Sequence, residues 1–219
     1  MHAAGTPPAT PLPAYLRKRH AGWHATQWAE NRSWYRSLAE AGQRPRAMLV
    51  SCCDSRVNVV EMFGAEPGDL FVVRNVASLI PPHAPDHGHH GTSAAVEYAV
   101  TALRVAHIVV IGHSTCGGVK ACHDMCAGEA PALEAGHSYI GRWIDILRPA
   151  YERVAGVEPR EDRLRALERE AVVESLSNLA TFPFVRQAIE EGALTLHGSY
   201  IDIASGRLLT YDPATGRFD

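Results

Sequence analysis

Three short runs of this chain are apolar without alternation: Ala47 to Cys52 (AMLVSC), Leu70 to Val73 (LFVV) and Ile108 to Gly112 (IVVIG). A strand with one wet face alternates apolar and polar residues, whereas a strand covered on both faces does not. Runs of this kind therefore require helices on both sides of a sheet. Thr92 to Leu103 (TSAAVEYAVTAL), between the second and third runs, is rich in alanine and begins with residues suited to a helix start. A helix joining two buried strands is the crossover that makes them parallel neighbours. The patterning thus predicts an α/β fold with a parallel sheet and flanking helices.

The remaining segments fit around that sheet. RWIDILRPAYERVA and DRLRALEREAVVESLSNLA read as helices, and LTLHGSYID with GRLLTYD alternates across a Ser205-Gly206 turn, as in a terminal hairpin. Ahead of the sheet, Ala14 to Ala41 holds helix formers with Trp23, Trp28, Trp34 and Tyr35 and ends at Gly42. This predicts one or two amphipathic helices whose aromatics pack on the domain or on a partner subunit. The Pro-rich stretch Thr6 to Pro13 cannot start a helix, so residues 1–13 read as a disordered or extended arm and 14–219 as a single domain. With 46% hydrophobic residues, 219 residues can bury one sizeable core. No internal repeat or Gly/Ser-rich linker divides it.

Charge and cysteine usage narrow the function classes. A net charge of −3 gives no general reason to expect nucleic acid or an anionic membrane as partner. No apolar run approaches the roughly 20 residues that span a bilayer, and the N-terminus lacks the order of a signal peptide. The expectation is a cytoplasmic protein whose 5 cysteines are reduced thiols, some of them metal ligands.

The chemistry concentrates where the strands stop. Cys52, Asp54 and Arg56 follow the first run, and His113 and Cys116 follow the third; ligand sites of open parallel sheets lie at those carboxyl ends. Two thiolates and an imidazole suit Zn²⁺, and three protein ligands leave a fourth position for water, the arrangement of a catalytic site. Cys53 points to the opposite face in an extended strand and reads as a packed core thiol. Cys122 and Cys126, flanking His123, read as small buried residues, with a second metal or a redox pair as the alternatives. His83, His87, His89 and His90 form either a solvated loop or a relay for protons.

These residues resemble the signature of the β-class carbonic anhydrases, which pairs Cys-x-Asp-x-Arg with His-x-x-Cys. Here the two halves are Cys52-Cys53-Asp54-Ser55-Arg56 and His113-Ser114-Thr115-Cys116-Gly117-Gly118. PGDLFVVRNVASLIPP (Pro67 to Pro82) and GTSAAVEYAV (Gly91 to Val100) are similar to the family's connecting segments. The resemblance implies a mostly parallel core of about four strands plus an edge strand. It also implies a helical arm over 14–42 that embraces a partner subunit, in a homodimer or higher oligomer.

The activity implied is reversible hydration of carbon dioxide to bicarbonate and a proton by attack of a zinc-bound hydroxide, with one Zn²⁺ per chain. Asp54 would orient the nucleophile and Arg56 would hold Asp54 ionised; with Arg56 released, Asp54 could close on the metal as a fourth ligand. Gln43, Phe71 and Tyr98 match the pocket of the plant-like branch. Val76 would add to the apolar wall, and the Gly117 N–H would donate to bicarbonate. The other branch carries Trp and Tyr where this chain has Leu49 and Ile201, which argues against its inhibitory bicarbonate site. Two further readings keep the same residues: a hydrolase of a sulfur analogue of carbon dioxide, and a non-catalytic zinc-binding protein.

Overall fold

The computed structural model describes residues 9–85 and 88–219. Of the expected extended arm, residues 1–8 lie outside the described residues, and residues 9–13 carry no regular structure. The chain forms two compact units, Met1–Gln43 and Arg44–Asp219.

In the first unit, α1 (Ala14–Trp23) runs into a wider π-type turn at His24–Trp28, and α2 (Arg32–Ala41) follows Asn31. Gly42 ends α2 with φ 73°, a left-handed backbone that glycine adopts without Cβ strain. The Trp23 ring meets Tyr35 edge-on at 5.8 Å, yet neither helix buries a residue, and Trp34 is 46% exposed. These are the aromatic helices expected from the sequence, and within their own unit they lack a core.

The second unit is layered around one sheet. Its elements are β1 (Ala47–Cys52), α3 (Val59–Met62), β2 (Leu70–Asn75), α4 (Gly91–Glu97, continued by a π turn to Ala102) and β3 (His107–His113). Then come α5 (Gly117–Cys126), α6 (Tyr139–Ile144), α7 (Arg148–Val154), α8 (Arg160–Leu179) and α9 (Pro183–Glu190). The chain closes with β4 (Thr195–Ile201), β5 (Leu208–Asp212) and β6 (Arg217–Phe218). The sheet order is β2-β1-β3-β4-β5-β6; the first four strands are parallel, and β5 and β6 are antiparallel. The predicted terminal hairpin is present, and its first strand doubles as the fourth parallel strand. The alternation of β4 concealed that second pairing.

Successive strand residues serve opposite faces. Met48, Val50, Ile108 and Val110 pack with Val96, Val172, Leu179 and Val185 from α4, α8 and α9, while Leu49 and Ile111 pack with Val57, Val59 and Ile201. A further cluster joins Cys52 and Cys116 to Leu79, Val119, Ile144, Leu147 and Leu167. Helix α5 was not anticipated, because two glycines open it and glycine weakens a helix by about 1 kcal/mol. Burial of Val119, Cys122, His123 and Met125 along one face outweighs that preference.

Candidate metal centre and active site

Strands β1 and β3 are neighbours in register, with Ser51 opposite Ile111, so the residues leaving their carboxyl ends converge. Cys52, His113 and Cys116 are all buried, and one ligand atom from each lies within 4.8 Å of the others. The two sulfurs are 4.0 Å apart, close to the separation of two thiolates held tetrahedrally at about 2.3 Å from one Zn²⁺. His113 Nδ1 faces the Ser114 carbonyl at 3.0 Å, whereas the buried Nε2 has no hydrogen-bond partner among the described residues. An orphaned buried imidazole nitrogen beside two thiols is costly unless a ligand claims it. The donor set therefore fits a zinc ion.

The two thiols act chiefly on each other, with nearby backbone N–H groups adding to the effect. Cys52 is brought down to about 4 by its hydrogen bond with Cys116, assisted by His113 and by the N–H groups of Asp54 and Ala77. Cys116 is pushed up, chiefly by that same contact with Cys52 and by burial, although the N–H groups of Val119 and Gly118 pull it down. The pair shares one proton, which a divalent cation would displace. Burial opposes protonation of His113, but the Cys52 thiolate and the Ser114 carbonyl outweigh it and the net shift is upward.

Backbone strain collects at the same place. Ala77 and Ser78 take φ 66° and 59°, and Thr115, just before Cys116, takes φ 56°. Such conformations cost of order 1 kcal/mol or more in non-glycine residues and persist where surrounding contacts enforce them. At Ala77 the conformation delivers an N–H to Cys52.

Asp54 and Arg56 form the expected pair. Arg56 donates from Nε to Asp54 Oδ1 at 2.9 Å and from Nη2 to Oδ2 at 2.6 Å, and its backbone N–H adds a third bond at 3.0 Å. The same guanidinium reaches Thr115 Oγ1 and its carbonyl, each at 3.1 Å, tying the Asp54 turn to the Cys116 turn. With both oxygens held by Arg56, Asp54 stands outside the Cys-His-Cys group.

Other predicted residues are distributed differently. Val76 packs into the cluster that contains Cys52 and Cys116, and the space around Gly117 Cα is open. Phe71 and Tyr98 meet each other, with ring centroids 6.0 Å apart. Phe71 pairs with Met48 and Asn75 with Cys52, so Phe71 lies four residues, roughly 13 Å, back along the strand from the ligands. Gln43 closes the N-terminal unit and is exposed. Phe71 and Tyr98 therefore stand back from the Cys-His-Cys group of their own chain.

The carbonic anhydrase family profile matches residues 47–208. A carbonic anhydrase of Pseudomonas aeruginosa is 41% identical over 185 residues, covering 84% of this chain and 80% of that protein. The chain belongs to the β-carbonic anhydrase family. The solved structure of the β-carbonic anhydrase CcaA superposes with a TM-score of 0.84 at 30% identity, covering 93% of this chain and 97% of that one. A structure from a study of two tetrameric β-carbonic anhydrases of Sordaria macrospora gives 0.74 at 29% identity, covering 90% and 94%.

This β-carbonic anhydrase chain also carries contacts that motif spacing did not reveal. Glu168, buried on α8, accepts the Cys116 N–H at 3.1 Å and the Tyr200 hydroxyl at 2.7 Å. Arg74 donates to the carbonyls of Cys52 and Asp54 at 2.9 and 2.8 Å. Acidic and basic residues on helices and strands read by default as solvated, and nothing local marks these two. Cys53 corrects the sequence reading: it is exposed, because the strand ends at Cys52 and the chain turns outward. Cys122 is buried as expected, 3.9 Å from the half-buried Cys126, and all 5 cysteines are free thiols. In the His83–His90 loop, the His83 N–H donates to Thr181 Oγ1 at 2.8 Å and the ring packs on Phe182; His87 lies outside the described residues.

Proposed function

We propose that this chain hydrates carbon dioxide reversibly to bicarbonate and a proton, with one Zn²⁺ per chain held by Cys52, His113 and Cys116. The observation that carries the reading is the unpartnered buried His113 Nε2 facing two sulfurs 4.0 Å apart, in a member of this family. A Zn²⁺ held by Cys52, His113 and Cys116 would supply Lewis acidity that lowers the pKa of a bound water far below its free value. The protein's part is orientation. Asp54, kept anionic by Arg56, accepts a hydrogen bond from the nucleophile and aims its lone pair at the substrate carbon. The Gly117 N–H, in the first turn of α5, donates toward negative charge developing on the substrate oxygens, where the helix dipole also helps.

Val76 offers carbon dioxide an apolar contact from within the chain. Gln43, Phe71 and Tyr98 complete the pocket from a second copy, which makes a homodimer the smallest active form. No helix among the described residues is long and apolar enough to cross a membrane. The 5 free thiols suit a reducing compartment, and we assign the protein to the cytoplasm. A purely structural zinc calls for a fourth Cys or His ligand, and among the described residues the group holds only Cys52, His113 and Cys116.

Stopped-flow measurement of carbon dioxide hydration on metal-analysed protein tests the proposal. About one zinc per chain is expected, with zinc and activity lost together in Cys116→Ser. Metal-free protein of full activity, or zinc-loaded protein without activity, would overturn it.

A further inference from the structure

The opposite end of the sheet carries a second cluster of donors that the proposed reaction does not use. Thr195 lies directly across from His107 in the parallel pairing of β3 and β4, and His197 is two residues further along the same strand. Strand residues two apart share a face, so all three side chains converge. His107 Nδ1 is 2.7 Å from Thr195 Oγ1, Thr195 Oγ1 is 2.8 Å from His197 Nε2, and the two ring nitrogens are 3.3 Å apart. The rings are exposed, and no carboxylate pairs with either among the described residues.

We propose that His107 and His197 form a second metal site, for a late first-row divalent cation such as Cu²⁺, Ni²⁺ or Zn²⁺, clamping the amino ends of β3 and β4. Imidazole nitrogens about 2.0–2.1 Å from a tetrahedral metal lie about 3.4 Å apart, and the observed 3.3 Å needs almost no rearrangement. The pair is already assembled without an ion, because the Thr195 hydroxyl and one ring N–H satisfy the three atoms as donors and acceptors. On binding, the ring that carries its proton at the inward nitrogen moves it to the outward one. Both lone pairs then face the cation, and no oxidant or reductant is involved. Partial desolvation and the neighbouring His107 hold His197 below the usual histidine value, which keeps its lone pair free. Thr195 Oγ1 stands close enough to serve as a third, weaker donor, and water would complete the shell. Imidazole suits these ions, with Cu²⁺ expected to bind most tightly.

The site is independent of the Cys-His-Cys centre. The test uses the full chain with its Cys-His-Cys centre already loaded with zinc, and adds Cu²⁺ or Ni²⁺ in a calorimetric titration. A high-affinity uptake is expected in the parent and absent in both His107→Gln and His197→Asn, while pre-loaded zinc and carbon dioxide hydration remain at parental levels. At one added equivalent, the electron paramagnetic resonance of Cu²⁺ should show coordination by two imidazoles, and each variant should lose that signature. Cu²⁺ should also raise the melting temperature of the parent and not of the variants. Equal uptake and an unchanged spectrum in both variants would overturn the proposal and send the bound ion to other histidines.

Discussion

Asp54 accepts two hydrogen bonds from the Arg56 guanidinium and one from the Arg56 backbone, and these hold its carboxyl well below the usual carboxylate range. A depressed pKa stabilises the fold above the unfolded value of 3.8, and that contribution disappears as pH falls through the folded value. Between pH 5 and 8 the stability difference between parent and Asp54→Asn should therefore be flat, as denaturant midpoints at several pH values would show; a marked slope there would mean that another group reports the pair. Arg56 is half-exposed, so the stabilisation itself is modest. In catalysis the same substitution should retain zinc and lower kcat about 100-fold, because a neutral amide no longer orients the nucleophile as an acceptor alone. Stopped-flow rates together with metal content check this, and zinc lost in proportion to activity would make Asp54 a ligand.

Helix α8 works as a polar spine as well as a cover for the sheet. It packs on β3 and β4 so closely that a Cβ on Gly112 would sit 2.7 Å from Val172 Cγ2, and one on Gly198 2.9 Å from Val172 Cγ1. From that face Glu168 holds Cys116 and Tyr200, Ser175 Oγ accepts the Ile80 N–H at 3.2 Å, and Asn178 Nδ2 donates to the Ile80 carbonyl at 2.9 Å. The helix thus fastens both the Cys116 turn and the segment that follows the strained Ala77 and Ser78. Glu168→Ala leaves the buried Cys116 N–H and Tyr200 hydroxyl unpaired. A loss of about 1–3 kcal/mol per orphaned group and about 10–100-fold in zinc affinity is expected. Denaturant unfolding and zinc competition with a chelator measure the two separately. Glu168→Gln, which keeps an acceptor for Cys116, should fall between parent and Ala.

At the scale of the whole molecule, two facts point to assembly. Helices α1 and α2 bury no side chain within their own unit, and Phe71 and Tyr98 form an aromatic pair set back from the Cys-His-Cys group of their own chain. The homodimer proposed above would answer both, covering the helices and receiving the pocket residues. Deleting residues 1–42 should abolish the dimer and reduce activity at least 100-fold, whereas deleting 1–13 should leave both near parental levels. Light scattering with the hydration assay decides the matter, and a stable, fully active monomer without the helices would assign the whole site to one chain.

The sequence by itself determined the three buried strands, the terminal hairpin, the crossover helix and the Cys52, Asp54, Arg56, His113 and Cys116 set, because each is written in local patterns. Uninterrupted branched runs mark doubly covered strands, and strand ends mark where soft ligands gather. Tertiary structure decided what depends on register and on contacts distant along the chain. It turned Cys53 outward, made β4 a partner of both β3 and β5, placed Phe71 opposite Met48, and brought Glu168 to a backbone amide 52 residues away. The left-handed backbone at Ala77 and Ser78 is invisible in two small residues, since packing and hydrogen bonds from α8 enforce it against local preference. His107 and His197 read as unremarkable surface histidines until the parallel pairing of β3 with β4 sets their nitrogens 3.3 Å apart. Local sequence encodes propensity and chemistry, whereas the distance between two side chains on different strands is fixed only once the sheet has formed.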